Sequence, residues 1–431
     1  MAAPHDASLD TAADIGHADR SPSSPVGAAF VAVYVLALTC FWVALLSPGQ
    51  IALSVRIPQI APGQATTAFS WILGVGAIVA LFANPLLGRL SDRTRTRWGR
   101  RRPWIVGGVV AGAICMTVMG STSSLVVLAI AWWVAQAVFN GALAAVQAVI
   151  ADRVPAVQRG KISALLGISQ QIGIFGGIGV VALVHQTAPW LFAVPALIGV
   201  VGLLAFAVFY RDSAQPDPDL PRFTVGQFFS SFVVDPRRLP DFSWAWLSRF
   251  FFYLGTFVFA TYQAFYLTQD VGVDPTTVAS HILVSTSVGS VLILITAPII
   301  GYLSDRLRRR KVFVAGAALV YAVGLLIVLT TGTYAGYVTG MAIAAVGTAT
   351  YAAIDIALVV DVLPDDKDNA RNLGVFNIAN TVTHSIATVV ATPLLLIGGT
   401  ATHGNYSALI IGSMVLCVLG AIVIRFVRSV R

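Results

Sequence analysis

All 19 acidic residues of this chain are aspartates, and a single one, Asp355, stands inside an apolar run rather than at its end. A carboxylate at such depth costs at least ~2 kcal/mol on insertion scales, so it is a functional candidate by default. Asp355 precedes Asp361, at the end of its run, by six residues, which at ~1.5 Å rise per residue puts it about 9 Å inside. Arg249 lies six residues past the start of another run and reaches a similar depth from the same side. The two are expected to lie near each other. His384, about a dozen residues into a third run, is the other titratable group at depth. Imidazole suits proton exchange near neutrality, although a neutral ring bonded to a neighbouring helix fits as well.

Amides are frequent in the same runs: Gln136, Asn140 and Gln147 in one, Gln170 and Gln171 in the next, Asn377 and Asn380 beside His384. Gln136 and Asn140 are four apart and Asn140 and Gln147 seven, so on a helix the three share a face. Sugar hydroxyls need such donors and acceptors, and Trp42, Trp71, Tyr262 and Tyr351 offer flat apolar rings beside them. Hydrogen bonding between helices is the competing use of these amides.

The elements that must position these groups are long and apolar. Of 431 residues 57% are hydrophobic and 11% charged, against about a quarter charged in a soluble domain. Runs long enough to cross a ~30 Å hydrocarbon layer recur at 27–47, 66–87, 104–120, 124–150, 161–184, 190–210, 243–268, 279–301, 312–331, 335–362, 373–397 and 405–427. None shows the period-two alternation of barrel strands, so the twelve are read as transmembrane helices of an all-α membrane protein. Residues 1–26, rich in Ser, Pro, Asp and Ala, read as a disordered cytoplasmic tail with no cleavable signal. Cys40, Cys115 and Cys417 fall within spans and suggest neither disulfides nor a metal site.

The net charge of +8 belongs to topology. With the N-terminus cytoplasmic, every one of the 27 Lys and Arg residues except Arg56 lies on or near the cytoplasmic side, a strong form of the positive-inside rule. Both termini are then cytoplasmic, and no basic soluble domain remains to bind nucleic acid.

The connection after the second span reads GRLSDRTRTRWGRRRP, Gly88 to Pro103, and that after the eighth reads GYLSDRLRRRK, Gly301 to Lys311. Asp92 and Asp305 are 213 positions apart. Asp152, with Pro155, and Asp361, with Pro364, follow the fourth and tenth spans 209 apart. Two motifs at nearly one offset mean two parallel six-helix repeats, 27–210 and 243–431, joined by a cytoplasmic linker at 211–242. This loop pattern resembles the signature of the major facilitator superfamily. The ending Arg97 to Pro103 is similar to the sucrose–proton symporters and bacterial sugar transporters of the glycoside-pentoside-hexuronide group.

The resemblance implies the major facilitator fold in the cell (inner) membrane, with the first, fourth, seventh and tenth helices lining a central cavity. Gly88 and Gly301 would let helix ends approach a neighbour. Asp92 would face the N-terminus of the eleventh helix, and Asp305 that of the fifth, where the helix dipole favours an anion. Arg93 and Arg97 would join Asp152, and Arg306 would join Asp361, latching the halves when the cavity opens outward. Two roles fit Arg249 and Asp355 on this path: a proton-coupling carboxylate with its Arg partner, or a static pair closing the inner gate. Snorkelling of Arg249 to the interface is a third reading.

The resemblance also has gaps. Gln147 stands where the plant sucrose symporters carry an Arg, and the first, second and fourth spans lack the Asp residues of the sodium-coupled melibiose relatives. The implied function is alternating-access transport of a small molecule, a sugar or glycoside with possible proton coupling, by a functional monomer. The alternative is a proton-coupled efflux antiporter for amphipathic compounds. Asp365, Asp366 and Asp368 evoke a diphosphate-metal enzyme, but that chemistry uses more than one such motif, so no enzyme, cofactor or metal is expected. No nucleotide-binding loop is present.

Overall fold

The computed structural model describes residues 25–184, 188–210, 212, 240–362, 369–400 and 403–428. Most of the predicted tail and linker, Asp365 to Asp368, and the side chains of Asp361, Asn377, Asn380 and His384 lie outside the described residues. The twelve predicted spans correspond to twelve helices: α1 Ala28–Ser47, α2 Ala65–Arg93, α3 Arg102–Ser121, α4 Leu125–Arg153, α5 Ala156–Leu183, α6 Ala188–Phe209, α7 Pro240–Gln269, α8 Val278–Leu307, α9 Arg310–Thr331, α10 Tyr334–Val362, α11 Asn369–Leu396 and α12 Tyr406–Val423. Among the described residues eleven are long and apolar enough to cross a membrane; in α11 the apolar part is Ile386–Leu396. A wide turn at Pro48–Ala52 carries α1 on into Leu53–Ile60.

The sequence placed both Gly-to-Asp motifs in connections, but α2 runs on to Arg93 and α8 to Leu307. Gly88, Asp92 and Arg93, and likewise Gly301, Asp305 and Arg306, therefore sit on the last turns of helices. The apolar run stops before the backbone hydrogen bonds do, because a helix leaving lipid continues into the polar interface with charged side chains.

The repeat is visible in packing. In the first half α1 lies against α5 and α6, α2 against α4, and α3 against α4 and α6. Six helices later α7 lies against α11 and α12, α8 against α10, and α9 against α10 and α12. The halves meet through α2 with α11 and α5 with α8, again an equivalent pair. Pro85 in α2 and Pro298 in α8 are 213 positions apart and each stands seven residues before its motif aspartate. A proline inside a helix forfeits one backbone bond and favours a bend, so both repeats carry the same bend-favouring residue at the same level.

Without a hydrophobic drive between helices in lipid, close backbone approach does the work. At the α9–α10 crossing a Cβ on Gly324 would lie 2.5 Å from the Gly340 carbonyl oxygen, and one on Gly340 2.5 Å from that of Gly324. Gly316, also on α9, has nothing within 4 Å of its Cβ position. Gly340→Val is expected to cost about 1–3 kcal/mol by overpacking, lowering the melting temperature of the detergent-purified protein by several degrees. Gly316→Val, measured in the same thermal scan, is expected to melt like the wild type.

Candidate functional site

Arg249 on α7 and Asp355 on α10 form an ion pair between Nη1 and Oδ2, with residue exposures of 6% and 3%. The equal depths read from the sequence bring them together. The Arg249 guanidinium also stacks 5.2 Å from the Tyr253 ring centre, a cation–π contact. Beside Tyr253, Tyr351 stacks on Phe252 with parallel rings 3.9 Å apart. Among the described residues the other carboxylate oxygen of Asp355, Oδ1, is buried with no hydrogen-bond partner. Both helices belong to the second half, so the pair pins α7 to α10 and does not itself latch one half to the other.

The first half has a neutral counterpart, for which the sequence carries only an offset as signal. Asp355 stands 209 positions after Val146, the offset that also separates Asp152 from Asp361. There α1 and α4 are joined by the Tyr34 hydroxyl donating to the Val146 carbonyl at 2.7 Å. One repeat thus holds a fixed neutral bond where the other holds a titratable one.

At the arginine-rich end, the partners of Asp152 are Arg100 at 2.6 Å and Arg101 at 3.0 Å, and Arg101 also meets Asp92 at 2.5 Å. This corrects the expected assignment to Arg93 and Arg97. Arg93 is the last residue of α2, and Arg97 is exposed on the connection that follows. The turn at Gly99, φ +100°, in the left-handed region that suits glycine, brings the next two arginines back over α4. Burial disfavours the charge of Arg101, but Asp152 and then Asp92 outweigh it and raise its pKa. Asp212, past the end of α6, accepts from the backbone N–H groups of Arg101 and Arg102 at 2.6 and 3.2 Å, capping α3. Sequence reading missed this cap because no spacing links residues 111 positions apart.

Gly88 makes the close approach expected of it, its Cβ position 3.2 Å from the Ala144 methyl. At Gly301, nothing among the described residues lies within 4 Å of the Cβ position. Asp305 is exposed, and its described partner is Arg310 at 3.5 Å, in its own half. The expected pairing of Arg306 with Asp361, and the side-chain surroundings of Asp92 at the start of α11, lie outside the described residues.

The amide line on α4 has a definable direction. Gly141 and Ala144 face Leu87 and Gly88 of α2, Ala142 faces Gly108 of α3, and Phe139 and Val146 face Phe41 and Tyr34 of α1. At ~100° per residue this leaves Gln136, Asn140 and Gln147 in the sector between α1 and α2, toward the other half. Asn140 donates to the Gln136 carbonyl and side-chain oxygens at 2.8 and 3.2 Å, while Gln147 is exposed.

Tyr262 and Tyr351, expected as ring contacts to substrate, are instead packed into protein, at 0% and 2% exposure. Tyr351 stacks on Phe252; the Tyr262 hydroxyl bonds Ser70 of α2 at 2.5 Å. Tyr262 belongs to a contact between the halves at the end away from the arginine loop. There Phe69 of α2 packs edge-on against Tyr262 and Phe265 of α7 at 5.4 and 4.9 Å, and Gly74 approaches Thr388 of α11. Aromatic rings of this kind supply closure by shape.

The model for the Major Facilitator Superfamily matches residues 28–266 and 245–431. An uncharacterized symporter of Synechocystis sp. is 48% identical over 46 residues, 11% of this chain and 8% of that protein. A sucrose transport protein of Arabidopsis thaliana is 44% identical over 50 residues, 12% and 10% of the two chains. A lactose permease of Leuconostoc lactis is 23% identical over 148 residues, 34% and 22%. The alignments thus span less than a quarter of these relatives' lengths. Among solved structures, the nucleoside transporter NupG superposes with a TM-score of 0.71 at 12% identity, covering 93% of this chain and 99% of that one. A bacterial homologue of the lysosomal transporter Spinster, inward-facing and unoccupied, gives 0.67 at 13%, covering 93% and 96%. At such identities the likeness is one of fold.

A second polar site lies at the far end of the second half, in a cavity of about 310 Å³ lined by Tyr266, Gln269, Asp270, His403 and Ser407 among others. His403 Nε2 sits 3.0 Å from Asp270. Burial pushes the Asp270 carboxyl above the usual range, and His403 only partly opposes this. A raised folded-state pKa means that the folded protein binds this proton more tightly than the unfolded chain. Its stabilising effect is therefore greatest below the unfolded value of about 3.9 and is lost as pH rises through the folded value. Asp270→Asn is expected to melt above the wild type at neutral pH, with the difference closing below about pH 4, as read by thermal scans across pH.

Proposed function

Because the chain belongs to the Major Facilitator Superfamily, we propose that it is a secondary active transporter that moves a sugar or glycoside by alternating access and couples that movement to protons. The observation that carries the coupling is the Arg249–Asp355 pair: the acid at depth is buried, ion-paired to a neighbouring helix, and has one carboxylate oxygen without a partner. Protonating Asp355 removes the charge that holds the guanidinium, freeing Arg249 to donate to substrate oxygens; losing the proton restores the pair. A pair inside one half suits this role better than that of a latch between halves. The exposed Gln147 and its neighbours on α4 supply donors and acceptors facing the opposite half. The relatives named as sucrose transport protein and lactose permease support a carbohydrate substrate.

The positive-inside rule makes the arginine-rich end cytoplasmic, in the inner membrane, with both termini on that side. The Ser70–Tyr262 and Phe69 contacts between the halves then lie on the external side, which supports a closed external side. In this state Arg101 holds Asp92 and Asp152 within the first half. On outward opening Asp92 is placed to meet the start of α11 and latch the cytoplasmic side.

The test is reconstitution in liposomes with an internal pH-sensitive dye and external mono- and disaccharides. Sugar-dependent acidification is expected in the wild type and is lost in Asp355→Asn. That variant should keep labelled-sugar counterflow, because exchange needs no net proton movement. Proton release on adding hydrophobic cations, with no response to any sugar, would replace this reading with an efflux antiporter.

A further inference from the structure

On the outer side of the first half, α2, α3 and α4 leave between them a groove of about 620 Å³, lined by Leu87, Thr94, Pro103, Trp104, Gly107 and Ala137 among others. Its wall is apolar apart from Thr94. α3 packs on α4 and α6 of its own half, so the groove opens away from the other half, toward the surface that faces lipid. Gly107 deepens it: no atom lies within 4 Å of a Cβ placed there.

The rim has the opposite chemistry. The stretch from Arg89 to Arg102 carries seven arginines and one aspartate. Arg100 and Arg101 are engaged by Asp152 and Asp92. Arg95 and Arg97 are exposed on the connection that begins at Thr94, the residue whose hydroxyl accepts the Trp104 indole N–H at 2.8 Å. Trp104 thus presents its ring to the groove and its polar edge to the rim. On the same connection Trp98 is 65% exposed, although a tryptophan in water gains nothing from exposure. Trp104 lining an apolar trench, and the exposed Trp98 on the arginine-rich connection beside it, fit the boundary between headgroups and acyl chains.

We propose that this groove binds one anionic phospholipid, with an acyl chain lying along Leu87, Trp104 and Gly107 and its phosphate held by Arg95 and Arg97. Guanidinium–phosphate pairs are charge-assisted hydrogen bonds, and basic pockets between helices at the cytoplasmic interface favour anionic headgroups. A zwitterionic lipid fills the trench equally well but gains less from the rim. The site is remote from the sugar path, so it stands or falls separately from the substrate assigned above.

Native mass spectrometry of the detergent-purified protein, incubated with equal amounts of dioleoyl-phosphatidylglycerol and dioleoyl-phosphatidylcholine, tests this. One phosphatidylglycerol is expected to remain bound in preference to phosphatidylcholine. Arg95→Gln/Arg97→Gln, at exposed positions, should lower that preference about tenfold or more. Gly107→Leu, which extends into empty space and leaves the fold intact by size exclusion and circular dichroism, should abolish the bound lipid. Inorganic phosphate alone should not displace it. Equal retention of the two lipids, unchanged binding in Gly107→Leu, or displacement by phosphate would each overturn the proposal.

Discussion

Hydrocarbon offers no hydrogen bonds, and that lack governs this chain from end to end. Each peptide group must find its partner within its own segment, so the polypeptide crosses as helices. Each charge must leave the apolar layer or be paired inside it. Nearly every basic residue takes the first course and collects at one end, and the Arg249–Asp355 pair takes the second. Removing one member of such a pair strands the other, at a cost of about 3–5 kcal/mol in buried protein sites. A pair that expensive to break from one side is well suited to a proton, which neutralises the acid without removing it.

Internal repetition supplies the scaffold, and departures from it supply the chemistry. The helix pairings of the first half recur six helices later, and the prolines of α2 and α8 keep the same distance from their motif aspartates. At the level where α7 and α10 hold an ion pair, however, α1 and α4 hold a neutral tyrosine–carbonyl hydrogen bond. Among the described residues Gly88 has a neighbour against its Cβ position and Gly301 has none. At the arginine-rich end of the first half, two carboxylates and two guanidinium groups form one cluster.

The Arg249–Asp355 pair and the cluster of Arg100 and Arg101 with Asp152 and Asp92 are each made within one half. Between halves the far end is closed by a hydroxyl–hydroxyl bond and by rings. Those ion pairs hold helices of one bundle together, while the neutral contacts at the far end, worth on the order of 1 kcal/mol each, can part and re-form. The arginine loop divides its labour in a similar way, with Arg100 and Arg101 turned inward to carboxylates and Arg95 and Arg97 turned outward.

Sequence alone determined the helical membrane architecture, the two repeats and the meeting of Arg249 with Asp355. Each of these follows from period, length or depth along a helix, which are one-dimensional quantities. Sequence could not say which arginine of a run of seven reaches Asp152, since that depends on the left-handed turn at Gly99, nor that Asp212 caps α3 from 111 positions away. It placed Tyr262 and Tyr351 on cavity helices without revealing that both rings are packed into protein, because a helix number does not specify an azimuth. Only tertiary structure, by bringing three neighbours against α4, turned the amide line toward the other half, and only the gap between α2, α3 and α4 made a groove of residues that in sequence look like ordinary apolar helix. Contacts between distant segments decide such features, and no local pattern encodes them.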